Sequence, residues 1–179
     1  MVCMMLFYFI KLVEFFIIYA KVIFMEKYWT DHHNHRLNQA ETFEELADIA
    51  IDILSQMSKE NKPIVEICGP ISTGGLGNIK DNLDRFEKAI KIAEQKGMYV
   101  FRQTIFEKAM EKIAPKYPVT DGYHLDILEI FYRRVFSSGY IKIAMFLPDW
   151  ESSKGARWER NIVYELGLEI REYPEDWLE

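Results

Sequence analysis

The chain has 179 residues and a mass of 21.3 kDa, enough for one domain with a real core plus an extension. Its 28 acidic residues outnumber 22 Lys and Arg and its pI is near 5.3, which excludes a nucleic-acid partner, because phosphate-backbone binders concentrate positive charge. Two cysteines, Cys3 and Cys68, cannot build a disulfide framework, so a reducing, cytoplasmic compartment is expected.

Three regions follow from patterning: a hydrophobic extension over 1–25, a helical segment over 26–62, and an α/β domain over 63–179. The opening "MVCMMLFYFIKLVEFFIIYAKVIFMEKYW" is long enough to cross a bilayer, but Lys11, Glu14 and Lys21 interrupt it at helical spacing. Three readings stay open: a start upstream of a true Met25, a membrane anchor, or a helix in an oligomer interface. Membrane contact is expected only if residues 1–25 are real and exposed. In "TDHHNHRLNQ", His32, His33 and His35 lack the spacing and Cys partners of a metal site and read as solvated. No metal or cofactor is expected.

Thr42 followed by Glu45 is a capping box that opens the apolar repeat of "FEELADIAIDILSQMS". "PIVEICGP" is a buried strand stopped by Gly69-Pro70, and "ISTGGLGN" is a glycine-rich loop. The following helix carries Leu83, Phe86, Ile90 and Ala93 on one face and stops at Gly97. "MYVFRQTIF" reads as a second strand, "FEKAMEKI" as a helical piece, "APKYPVTDGYH" as a loop and "LDILEIFYRRVFSSG" as a helix. "YIKIAMFLP" is a third strand, followed by a helix from about Gly155 to Leu166 and a final strand in "LEIREYP". This alternation predicts a Rossmann-like or flavodoxin-like three-layer sandwich with a mostly parallel sheet. In such sheets ligands sit at the carboxyl ends of the strands, so residues 69–78 and 148–155 should share one rim.

The glycine loop lacks the Gly-Lys-Ser/Thr of a Walker loop and the spacing of a dinucleotide fingerprint, but its backbone could cradle phosphate or sugar. Candidate binding residues there are Gly69, Pro70, Ser72, Thr73 and Gly74. Asp149, Glu151 and Glu159 surround the exit of the third strand, with Gly155-Ala156 leaving space and Trp150 and Trp158 offering aromatic surface. A carboxylate at that rim can attack a carbon bearing a leaving group or hold a developing oxocarbenium ion.

"EICGPIS", "QKGMYVF", the run "FLPDWESSKGARWE" and the helix end "LGLEI" together resemble the nucleoside 2-deoxyribosyltransferase-like proteins over residues 63–171. The most specific part is residues 153–159, which in the transferases reads Asp-x-Gly-Thr-Ala-x-Glu, its final Glu forming a glycosyl-enzyme intermediate. The resemblance implies Glu159 as nucleophile, and by the same spacing not Glu165. It implies an acid such as Asp149, Trp150 or Trp158 stacking the base, Ser153 and Gly155 beside the sugar or phosphate, and a homo-oligomer. The chain departs from the transferases at Ser153, where the related deoxynucleoside 5′-monophosphate N-glycosidases also carry Ser and use it to hold phosphate. The family's tyrosine near the first strand is replaced by the sequence Glu66, Ile67, Cys68. An uncharacterised branch with "LPGWE-S-x-GA" is also similar. The expected function is cleavage or transfer at the N-glycosidic bond of a nucleoside or nucleoside 5′-monophosphate, a small-molecule partner; a non-catalytic nucleotide-sensing module on the same fold is the alternative.

Overall fold

The structure is a computed structural model that describes residues 28–120 and 122–178. The three readings of residues 1–25 concern a segment outside the described residues. Among the described residues no helix is long and apolar enough to cross a membrane.

The chain starts with α1 (Asp31–Gln39), whose Thr30 side chain accepts the His33 N–H at 3.4 Å while the Thr30 N–H donates to His33 Nδ1 at 3.1 Å. That capping box makes a helix of a polar stretch whose histidines read as solvated. The difference concerns His33, which is 1 % exposed, with Nδ1 held by Thr30 and Nε2–H donating to Asp52 at 3.2 Å. His32 and His35 are exposed, as expected. Helix α2 (Phe43–Ser58) begins at the Thr42–Glu45 capping box and buries Leu46, Ala50 and Leu54 at helical spacing.

Four strands, β1 (Ile64–Cys68), β2 (Tyr99–Phe101), β3 (Ile141–Phe146) and β4 (Glu169–Glu172), form one sheet in the order β2-β1-β3-β4 with every pairing parallel. The Rossmann-like, flavodoxin-like expectation holds. Side-chain alternation splits the core into two clusters. On one face Val65, Ile67, Val100, Ile143 and Met145 pack under Phe86, Ala89, Ile90 and Ala93 of α3 (Ile79–Gln95). On the other, Ile64, Cys68, Phe101, Ala144 and Phe146 meet α2, α4 (Glu107–Ile113), α5 (Arg133–Ser137) and α6 (Lys154–Glu165). Helix on sheet on helix gives the three layers.

Two elements differ from their expected form. The second strand is only Tyr99–Phe101, because Arg102 turns to bind Glu94 through Nε at 2.8 Å and Glu87 through Nη1 at 3.0 Å, and Gln103–Phe106 coils into a 3-10 turn. The helix expected over "LDILEIFYRRVFSSG" is π-helical over Ile127–Tyr132 before becoming α5. The wider turn carries Ile127, Leu128 and Tyr132 onto the wall of the cavity described next.

Candidate active site

From β1 the chain crosses to β2 on one side and then returns to β3 on the other, so β1 and β3 flank the switch point of the sheet. A cavity of about 590 Å³ opens beyond their carboxyl ends, within the size range of small-molecule sites. Gly69 and Ser72 after β1, and Ser153, Gly155 and Glu159 after β3, line it together. The exit of β2 adds Thr104, Glu107 and Lys108, and the loop before the π-helical turn adds Tyr123 and His124.

Glu159 is 7 % exposed, on the inner face of α6. Burial, then the nearby Glu107 carboxylate, raise its pKa from the ordinary 4.5 to about 8, while a hydrogen bond from the Cys68 thiol pulls the other way. Burial likewise pushes the Cys68 thiol well up, so that it remains a donor. Glu107 rises to about 7 through burial and then the neighbouring Glu111 carboxylate. Glu66 lies on β1 in the same side-chain row as Cys68, is 0 % exposed, and neither of its carboxyl oxygens has a hydrogen-bond partner among the described residues. Burial, then the charge of Glu159, hold Glu66 well above the usual carboxylate range. Glu107 and Glu159 thus line the cavity with Glu66 buried close to Glu159, and carboxyl groups whose pKa values are shifted by desolvation and one another are a frequent mark of acid–base sites.

Tyr123 enters from a tight turn bridged between Thr120 and Tyr123. Its hydroxyl exchanges a hydrogen bond with Ser72, and burial raises its pKa to about 12. A Cβ on Gly155 would lie 2.8 Å from that hydroxyl, so the glycine at this position makes room for the phenol.

The glycine loop serves a different neighbour from the one its composition suggests. Gly74 and Gly75 adopt φ of 70° and 63°, and a Cβ on Gly74 would lie 2.3 Å from Ser152 Oγ. The Gly75 N–H donates to Ser152 Oγ at 2.8 Å, and Thr73 Oγ1 accepts the Lys154 N–H at 3.0 Å and approaches Ser153 Oγ at 3.3 Å. The two rim loops are therefore clasped to each other. Asn82, 2 % exposed, fixes the clasp: its Oδ1 accepts the Leu76 N–H at 2.8 Å and its Nδ2 donates to the carbonyls of Ile71 and Gly74 at 2.9 and 3.1 Å. Asn82→Ala strips three backbone groups of their partner and is expected to cost about 2–4 kcal/mol, read as a lower midpoint in urea denaturation at unchanged slope.

The remaining candidates stand outside the cavity. Pro70, Thr73 and Gly74 belong to the clasp rather than the lining. Asp149, at φ 64°, is exposed and pairs with Arg85 at 3.6 Å. Trp150 sits edge-on to Phe146 with centroids 5.6 Å apart, and the Arg160 guanidinium lies 4.2 Å over its ring. Trp158 donates to Glu129 at 2.8 Å and lies under Arg133. Glu107, Tyr123 and His124, which sequence reasoning did not select, hold cavity positions instead.

No curated protein and no solved structure matches the chain. Residues 64–172, which run from the first residue of β1 to the last of β4 and contain the whole rim, match the family described as a domain of unknown function (DUF4406), and the chain belongs to that family.

Proposed function

We propose that the protein cleaves or transfers the N-glycosidic bond of a nucleoside-type substrate, with Glu159 as nucleophile. The observation that carries this reading is the placement of Glu159: a buried carboxyl on the cavity floor, beside the carboxyl ends of the two strands at the switch point. The resemblance of residues 63–171 to the nucleoside 2-deoxyribosyltransferase-like proteins supports the same residue for the same role.

In this mechanism the ionised Glu159 attacks C1′ of the sugar, the C1′–N bond breaks, and a glycosyl ester forms on the carboxylate. Glu107, which also lines the cavity and is close enough to influence Glu159, is the proton donor to a neutral base and then the acceptor of the proton from the incoming water. That role passes from Asp149 to Glu107 because Asp149 faces Arg85 and solvent. Ser72 and Tyr123, joined by their hydrogen bond, face the sugar hydroxyls, and the apolar wall of Ile79, Leu83, Met110 and Leu128 takes the base.

Incubating the purified full chain with each deoxynucleoside, each ribonucleoside and their 5′-monophosphates, with and without a second free base, tests the reading by chromatography. Free base or an exchanged nucleoside is the expected product. A folded protein that releases and exchanges nothing from any of them, and from no glycoside of a charged base, would leave a binding module as the better account.

A further inference from the structure

Glu66, Glu107 and Glu159 act on one another electrostatically, and among the described residues none of them forms an ion pair with a Lys or Arg. Arg102 pairs with Glu87 and Glu94 and Arg85 with Asp149, while Arg160 pairs with Glu172 and lies over the Trp150 ring, its charge reaching the Cys68 thiol and its Nη1 having no hydrogen-bond partner among the described residues. Lys108, on the cavity wall, is exposed to water. Both oxygens of the fully buried Glu66 lack a donor among the described residues. Buried acids without a counter-charge are costly, and a fold that keeps several of them at one floor is complementary to positive charge brought from outside.

A second observation runs against a phosphorylated ligand. Several backbone donors of this rim are already used: Gly75 N–H by Ser152, Leu76 N–H by Asn82, Gly77 N–H by the Gly74 carbonyl, Lys154 N–H by Thr73 and Ala156 N–H by Ser153. A dianion would meet Glu107, Glu111 and Glu159 instead.

Resting on the cleavage reading of this site, we infer that the substrate is a cationic N-glycoside without a 5′-phosphate: a ribosyl or deoxyribosyl group on a quaternised ring nitrogen of the pyridinium type. The chemistry closes without a proton donor in the first step. The Glu159 carboxylate forms a bond to C1′, the C1′–N pair of electrons goes to the ring nitrogen, and the base departs neutral. Water then attacks C1′ of the ester, its proton passes to the Glu107 carboxylate and on to solvent, and Glu159 is regenerated. The overall change is cationic glycoside plus water to sugar, neutral base and one proton. The cation also ionises the acids around it, so binding releases protons from the group formed by Glu66, Glu107 and Glu159, with the Cys68, Tyr123 and Tyr132 hydroxyl and thiol groups facing it in their neutral forms.

The test is calorimetric titration of the full chain at pH 7 with nicotinamide riboside, with its neutral 1,4-dihydro form of nearly the same shape, and with deoxyuridine 5′-monophosphate, each in two buffers of different ionisation enthalpy. The riboside is expected to bind at least about tenfold more tightly than either of the others, with net proton release, and Glu107→Gln to shrink that advantage while sparing the neutral form. Equal or tighter binding of the neutral form or the monophosphate overturns the inference. Chromatography of the same mixtures separates it from the cleavage reading. Preferential, proton-releasing binding without nicotinamide release keeps the charge preference and sinks cleavage; base release from the monophosphate with no riboside preference keeps cleavage and sinks the charge preference.

Discussion

Glu159→Gln is expected to lower turnover of any cleaved glycoside by about 10⁴-fold while leaving substrate affinity within the range of a lost charge, because a neutral amide cannot form the glycosyl ester. Glu107→Gln should cost roughly 10²-fold for a substrate with a neutral leaving group, the usual worth of one proton-transfer residue. Asp149→Asn should leave turnover near wild type, since its carboxylate faces Arg85 outside the cavity. For a substrate with a neutral leaving group the wild-type rate should pass through a maximum between about 7, where Glu107 gives up the proton it must donate, and about 8, where the Glu159 carboxyl ionises in the unliganded protein. Steady-state kinetics of the wild type and the three variants from about pH 5 to about pH 9 checks all four statements. A Glu159→Gln protein with wild-type turnover ends the nucleophile assignment, and an Asp149→Asn protein as impaired as Glu107→Gln returns the acid role to the β3 exit.

The two central strands and their rim were legible in the sequence because each ends at a glycine or proline and is followed by a capped helix: Gly69-Pro70 after β1, Leu147-Pro148 after β3, Asn78 and Ser153 at the N-caps of α3 and α6. Glu159 was legible for the same reason, sitting two turns into a helix that leaves this rim, and by its spacing from Ser153. Asp149 and Trp150 looked equally well placed, but a left-handed residue at 149 turns both away from the cavity, and no local pattern announces that turn. Glu107 was obscured by the reading of "MYVFRQTIF" as one strand. Since β2 is parallel to β1 and β3, its exit also lies on the ligand rim, and the residues directly after it were the signal that could have found Glu107. Tyr123 and His124 arrive on a connection whose course is set by packing against Ser72 and Gly155, contacts between segments far apart in the chain. The glycine loop was read as letting the backbone approach a phosphate or sugar; in the structure the close neighbour of Gly74 is Ser152 and those of Gly75 are Asn82 and Pro70.

The same buried acids should make the fold less stable as pH rises through neutrality. An acid whose pKa is higher in the folded than in the unfolded chain binds its proton more tightly when folded, so its contribution is complete below the unfolded value and lost as pH climbs toward the folded one. For Glu159 that window runs from 4.5 to about 8. At about 1.4 kcal/mol for each tenfold change in the proton equilibrium, Glu159 alone removes on the order of 4 kcal/mol between pH 5 and pH 8, roughly 10 °C in Tm for a chain of this size. Glu66 and Glu107, also raised, act in the same direction. Below the window the sign reverses: the Arg133 hydrogen bond holds Glu129 under its ordinary value, and that stabilisation is lost as the carboxylate protonates. Stability is therefore expected to peak near pH 5, set by the acids of the cavity floor rather than by the surface. Glu66→Gln and Glu159→Gln should each flatten the fall toward pH 8 and melt above wild type there, because an amide keeps the shape and never has to shed a proton in the interior. Thermal melts at pH 5 and pH 8 decide it: a wild type equally stable at both would mean that water or an ion already shares the floor with the three carboxyl groups. A cationic ligand should reverse the trend, stabilising most where the acids are ionised, which ties the stability of the empty cavity to the charge of what it binds.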